Sequence, residues 1–300
     1  MKKLFLAFAF CFSFFTFCFS QPGRDEVLAN SYFQNGEFDK AVELYQDLWE
    51  KNNNDVKFYA PLYKCLMALK KFDELEKVVK KQIKKSENSP QFQVDLGYMY
   101  SQIPNPGKAK DQYEKILKEM KPDEGSIRGI ANAFESYRLY DYVIAVYEKG
   151  GKMIRNESYF SFELAQAYLN KGDVTNAVKF YLTNMDANPH NVQLIKNTIQ
   201  SSREQAKLLS EMETQLYTKT QRNPNNEDYI DLLTWVYIQN KDFEGALVQM
   251  KALDRRKGEN GVRVINIARM AQVEGDYTNA ISGFEYVVSK GKDNTLYFTA

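Results

Sequence analysis

"ELAQAYLNKGDVTNAVKFYLTNMDANP", Glu163–Pro189, decides the fold. Leu164, Ala165, Tyr168 and Leu169 form an i, i+1, i+4, i+5 stripe, which is one apolar face of a helix. Lys171-Gly172-Asp173 breaks that stripe. Glycine supplies the left-handed residue that ends a helix, and Asp173 can cap the next one. A second stripe follows at Val174, Ala177, Val178 and Tyr181, and Pro189 stops it. Two short helices joined by a tight turn are expected here.

The same unit recurs. Equal steps from Ala165, each as long as the step from Ala131 to Ala165, land on Ala29, Tyr63, Gly97, Ala131 and Ile199. One inserted residue, expected in the loop 221–226, shifts the series to Thr234 and Ala268. A second marker keeps the same spacing at Ala41, Leu75, Ala109, Val143, Ala177, Glu211, Ala246 and Ala280. A third follows one helical turn later and is bulky: Tyr45, Val79, Tyr113, Tyr147, Tyr181, Met250 and Phe284. The break itself reappears as Asn35-Gly36-Glu37, Asn240-Lys241-Asp242 and Glu274-Gly275-Asp276. In the third unit Pro104 and Pro106 make a stiffer connection instead. One pair of helices cannot cover its own apolar face, so pairs that stack bury a continuous core. The aromatic stripe is accordingly read as core rather than as a cofactor site, and Cys65 as a small buried apolar residue.

This pattern resembles the tetratricopeptide repeat family. The fifth unit carries it at Ala165, Tyr168, Gly172, Ala177, Tyr181 and Pro189, the first at Ala29, Tyr32, Gly36, Ala41 and Tyr45, and the eighth at Ala268, Gly275, Ala280 and Phe284. The resemblance implies an all-α fold: a right-handed superhelical solenoid of about eight helix-turn-helix repeats, each of about 34 residues. It also implies that the first helices line a concave face.

The termini carry expectations of their own. Lys2 and Lys3 precede the apolar run Leu4–Phe19, and a small residue, Ser20, comes before Gln21. That order describes a secretory signal peptide, residues 1–20, ahead of a repeat array at 21–300. The run is short for a membrane span, so the mature chain is expected to carry no transmembrane segment. A lipoprotein signal would acylate Cys18 but normally has a small residue where Phe17 stands. The start of a ninth unit at Leu296-Tyr297-Phe298 suggests an array that continues past Ala300.

Without Lys2 and Lys3 the chain holds 38 basic residues against 39 acidic ones, so no global field directs it to nucleic acid. The lysines of Lys77–Lys85 are read as a solvated face around Val78, Val79 and Ile83. His190 is the sole histidine and sits in a turn with no Cys, His or paired carboxylates to share a metal. No nucleophile motif or phosphate loop is present; Gly150-Gly151 reads as a helix end, and Glu211 and Glu213 as solvated. No enzyme activity, metal or cofactor is expected within this segment.

Binding is expected on the first-helix face one residue beyond the small-residue position and a turn to either side. That face collects Lys64, Tyr98, Gln102, Arg128, Asn132, Phe162, Gln166, Asn170, Lys196, Gln200, Trp235, Gln239 and Arg269, with Tyr159 one turn earlier. Its amides can both donate and accept, which suits an extended peptide backbone. Some family members clamp a terminal carboxylate with Lys and Asn, but Glu163 and Gln193 stand where that clamp expects Asn and Lys, so no such clamp is expected. The resulting expectation is an exported, non-catalytic scaffold of the periplasm or cell envelope. It would bind an envelope protein or peptide, and through that partner associate with an outer-membrane assembly or secretion machine. The residue usage resembles that of Bacteroidetes envelope proteins. The alternatives are a glycan- or peptidoglycan-binding module, with Tyr98, Tyr159 and Trp235 as stacking platforms, and a repeat module of a longer enzyme or sensor whose active domain follows residue 300.

Overall fold

The computed structural model describes residues 23–300 apart from Asn53, Asn88 and Asn105; the expected signal peptide, residues 1–20, lies outside them. Among the described residues there are sixteen α-helices and no strand, so the class is all-α. The chain divides into two compact units, with the boundary between Ile116 and Leu117.

The first unit holds α1 (Arg24–Gln34), α2 (Phe38–Lys51), α3 (Val56–Ala68), α4 (Phe72–Lys85), α5 (Pro90–Ser101) and most of α6 (Pro106–Glu119). Each of α1 to α4 packs on the helix that follows it. The recurring positions are the core: Ala29, Ala41, Tyr45, Leu75 and Val79 are buried, as are Leu62 and Leu66 between them. Cys65 is also buried, and burial pushes its thiol up to about 11. Small size at the crossing is a steric demand: a Cβ built on Gly97 would stand 2.2 Å from the Tyr113 ring. The lysine-rich helix α4 differs in one respect from its reading. Gln82, not Ile83, is its innermost residue in the last turns, and its amide oxygen accepts from the Trp49 indole at 2.8 Å.

The second unit runs through α7 (Glu124–Glu135), α8 (Tyr140–Met153), α9 (Ser161–Lys171), α10 (Val174–Ala187), α11 (Val192–Ser201), α12 (Gln205–Arg222), α13 (Glu227–Gln239), α14 (Phe243–Lys257), α15 (Val262–Val273) and α16 (Tyr277–Val288). Single 3-10 turns occupy Pro189–Asn191 and Tyr297–Thr299. The latter is the segment expected to open a ninth helix. Ala131, Val143, Ala165, Ala177, Tyr181, Ile199, Thr234, Ala246, Ala268 and Ala280 are all buried at the recurring positions. Asp173 caps α10 by accepting from the Asn176 amide at 3.0 Å, and Asp242 caps α14 in the same way from Gly245 at 2.8 Å. Tyr168 is less enclosed than its place in the stripe implies: it is half-buried and stacks on Phe180 with centroids 5.3 Å apart.

Six of the eight breaks between paired helices share one backbone solution. Gly36, Lys70, Arg138, Gly172, Lys241 and Gly275 all have positive φ at equivalent stations. The equivalent third station is Pro104, whose ring fixes φ near −65° and forbids that solution.

One expectation is corrected. The extra residue of the sixth repeat does not lie in the loop 221–226. Met212 and Leu216 are buried where the markers require, while Glu211 is half-buried, so the insertion falls at the α11–α12 break. The apolar pattern of α12 outweighs the strict repeat count, because burying Met212 in place of Glu211 avoids desolvating a carboxylate. Gly150 and Gly151 lie in the last turn of α8, at the helix end expected for them. Both are also buried, and a Cβ on Gly150 would approach Ile127 to 2.8 Å.

Candidate functional site

In the second unit the expected binding residues lie on first helices, or just before one in the case of Tyr159. They comprise Arg128 and Asn132 on α7, Phe162, Gln166 and Asn170 on α9, Lys196 and Gln200 on α11, Trp235 and Gln239 on α13, and Arg269 on α15. Each is exposed or half-buried, and the residue before many of them is core. In the first unit Lys64 and Gln102 are exposed and Tyr98 is half-buried. Lys64 lines a shallow cleft of about 270 Å³ between α1 and α3, beside a Lys57–Glu26 ion pair of 2.6 Å.

Side chains one repeat apart join successive first helices. Arg128 donates from Nε to Glu124 on its own helix at 2.8 Å and from Nη1 to Glu163 on α9. Burial opposes its charge, but its hydrogen bonds to these two carboxylates prevail and raise it above the usual arginine value. The Tyr159 hydroxyl donates to Glu124 at 2.6 Å, and the Arg128 guanidinium lies 5.3 Å from the centre of the Phe160 ring. Glu163 occupies the guanidinium that a carboxylate clamp would use.

The next junctions differ. Between α11 and α13, Gln200 donates to Gln239 at 3.1 Å, and the Lys196 ammonium stands 5.5 Å from the centre of the Trp235 ring. Among the described residues no carboxylate reaches Lys196 within ion-pair distance; burial lowers its pKa, and the charge of Asp231 opposes that shift. Between α13 and α15, Arg263 binds Glu227 at 3.0 Å and Asp231 at 3.1 Å. Burial raises the Asp231 carboxyl above its ordinary value despite that partner. Phe162 and Trp235 also lean on the core: the Phe162 ring meets Tyr181 edge-on with centroids 5.8 Å apart, and Gln166 donates to the Tyr181 hydroxyl.

The polar links from α7 to α9 and from α13 to α15 were absent from the sequence reading, although their signal is present in the chain. Arg128 and Glu163 stand 35 residues apart, as do Glu124 and Tyr159. Opposite charges one repeat apart on first helices mark such a link. His190 is exposed in its 3-10 turn, and among the described residues no three His, Cys, Asp or Glu side chains are grouped to hold a metal. Among the described residues no helix is long and apolar enough to cross a membrane.

Profiles of the tetratricopeptide repeat match residues 28–52 and 160–191, which fall on the first and fifth helix pairs. At those two helix pairs the chain is similar to the tetratricopeptide repeat, a helical-repeat type typical of protein–protein interaction. No curated protein sequence matches the chain. Among solved structures, the MamA protein is 18% identical with a TM-score of 0.30, covering 56% of this chain and 92% of its own. The C-terminal part of a repeat-containing protein from Cytophaga hutchinsonii is 15% identical with a TM-score of 0.31, covering 91% and 98% respectively. A thermophilic tetratricopeptide repeat protein of Thermus thermophilus is 15% identical, also at 0.31, covering 58% and 94%. At such identities and TM-scores neither partners nor roles transfer from those proteins.

Proposed function

We propose that the chain is a non-catalytic interaction scaffold, exported to the periplasm or cell envelope, that binds an extended segment of an envelope protein along its first-helix face. The observation that carries this reading is the α9–α13 stretch. There, Lys196 lies over Trp235 with no ion-pair partner among the described residues, and Gln166, Asn170, Gln200 and Gln239 lie on the first helices of the same stretch. Amides and a half-buried indole offer backbone recognition and an anchor of the kind that concentrates binding energy. The adjoining α7–α9 junction spends its charges internally, as do Arg263, Glu227 and Asp231 at the α13–α15 junction. Export rests on the N-terminal residues Met1–Ser20, and service to an outer-membrane assembly or secretion machine rests on the resemblance alone.

The test is affinity capture with cross-linking from envelope fractions, comparing wild type with Lys196→Glu/Trp235→Ala. A partner retained by wild type and lost from the variant is the expected result. Equal capture by both would remove the first-helix face as the interface. Phe162 and Trp235 both pack on the core, so Lys196→Glu alone, at a partly exposed cation, is the companion variant that separates binding from stability.

A further inference from the structure

Between α13 and α15 the first-helix face opens into a cleft of about 630 Å³. Ile238, Phe243, Met270 and Val273 give it apolar walls, and Met270 and Val273 remain 47% and 86% exposed. Apolar side chains held open to water around a concavity are costly unless something covers them. Charge at the rim is unbalanced in a specific way. Lys241 is neutralised by Glu274 at 2.7 Å, whereas Arg269 has as its contact a long hydrogen bond of 3.4 Å to the Thr299 carbonyl. The cleft therefore presents one uncompensated guanidinium beside an apolar floor.

We propose that this cleft is the anchor pocket of the partner segment: it receives one bulky unbranched or aromatic side chain, while Arg269 pairs with an Asp or Glu a few residues away. The proposal rests on the first-helix reading above and adds the chemistry of the ligand. The complementary charge follows from Arg269, whose planar guanidinium matches a carboxylate in two-point geometry. The long apolar side chain follows from the walls, where flexible Met270 can adjust to different shapes. Recognition is by side chains within the segment, so a free terminal carboxylate is not required.

The probe is a phage-displayed library of short random peptides, selected on the full chain and counter-selected on Met270→Lys. Peptides that survive counter-selection are then synthesised with both ends capped. The expected sequences carry Met or an aromatic residue with Asp or Glu nearby. Their affinity should drop about thirtyfold or more on Arg269→Glu, a hot-spot-sized effect. Changing the peptide's acid to Lys should restore binding to Arg269→Glu. Enrichment of peptides that bind Met270→Lys as well as wild type overturns the proposal, and so does enrichment without an acid, indifference to Arg269→Glu, or no enrichment at all.

Peptides lost on Lys196→Glu/Trp235→Ala but kept by Met270→Lys would remove the pocket and leave the first-helix reading standing. Loss on neither would remove both. Concentration-dependent self-association of wild type, abolished by Met270→Lys, would identify a second copy as the occupant and likewise overturn a partner segment. Val273→Glu, at a more exposed position, repeats the counter-selection if Met270→Lys fails to fold.

Discussion

Arg138 and Gly172 occupy the same station in successive repeats and the same left-handed backbone, with φ of 56° and 90°. For glycine this conformation carries no Cβ penalty, whereas any other L-residue gives up about 1 kcal/mol. Arg138→Gly should therefore raise stability by about 1 kcal/mol, and Gly172→Ala should lower it by a similar amount. Paired denaturant melts would show the two shifts in opposite directions. Matching losses would mean that the helix-to-helix turn relaxes around its side chain. At the crossings the constraint is volume: a Cβ at Gly283 would stand 2.6 Å from the Ala268 Cβ, so that position tolerates no growth without displacing a helix.

Between elements, packing selects polar partners as narrowly as apolar ones. Trp49 of α2 and Gln82 of α4 are both buried, and their hydrogen bond of 2.8 Å lies inside the first unit. Gln82→Leu strands the indole N–H away from water and should cost about 1–3 kcal/mol. Adding Trp49→Phe removes that orphaned donor, so the double variant should be less destabilised than the two single losses summed. A double-mutant cycle of urea melts measures the difference. Strict additivity would show that water already satisfies the amide. Gln82 also shows where sequence reading stops. Helix pairs, their breaks and nearly every buried marker are legible, because period and steric size are properties of the chain itself. The inward turn of Gln82 is not, because a glutamine among lysines is polar on any scale and is buried only by its partner on another helix. The sixth repeat misled for a related reason: a fixed repeat count assumes rigid turns, and the α11–α12 break absorbs one more residue. First-helix residues such as Gln200 and Trp235 were legible as a face. The Arg128–Glu163 and Arg263–Asp231 links were not, since they depend on how far apart successive helices stand.

At the scale of the whole molecule, buried acids set the response to alkali. Burial holds Cys65 up at about 11, and Tyr147 and Tyr181 at about 12. In the unfolded chain they ionise near 9 and 10, so between about pH 9 and 12 the folded state binds more protons and stability falls as pH rises. Melting temperatures should accordingly decline across that window, and Cys65→Ala should lessen the decline in its lower part. A flat profile would mean that these groups titrate without opening the core.

Stability is also uneven along the second unit, because its helices contact near neighbours in the stack. The pair α9–α10 is enclosed by α8 on one side and α12 on the other. By contrast α16 leaves Tyr277 66% and Ile281 55% exposed on its outer face. Local opening of α16 therefore exposes less additional apolar surface than opening α10, and a smaller loss of burial means a smaller opening free energy. Amide hydrogen exchange under native conditions should show α16 exchanging at least about tenfold faster than α10, a gap of ~1.4 kcal/mol. Equal protection would mean that the unit opens as one cooperative block. Binding at the α13–α15 cleft would then stabilise α10 as much as α15, whereas in a graded stack a bound segment should slow exchange in α13 and α15 first, with the effect fading toward α7.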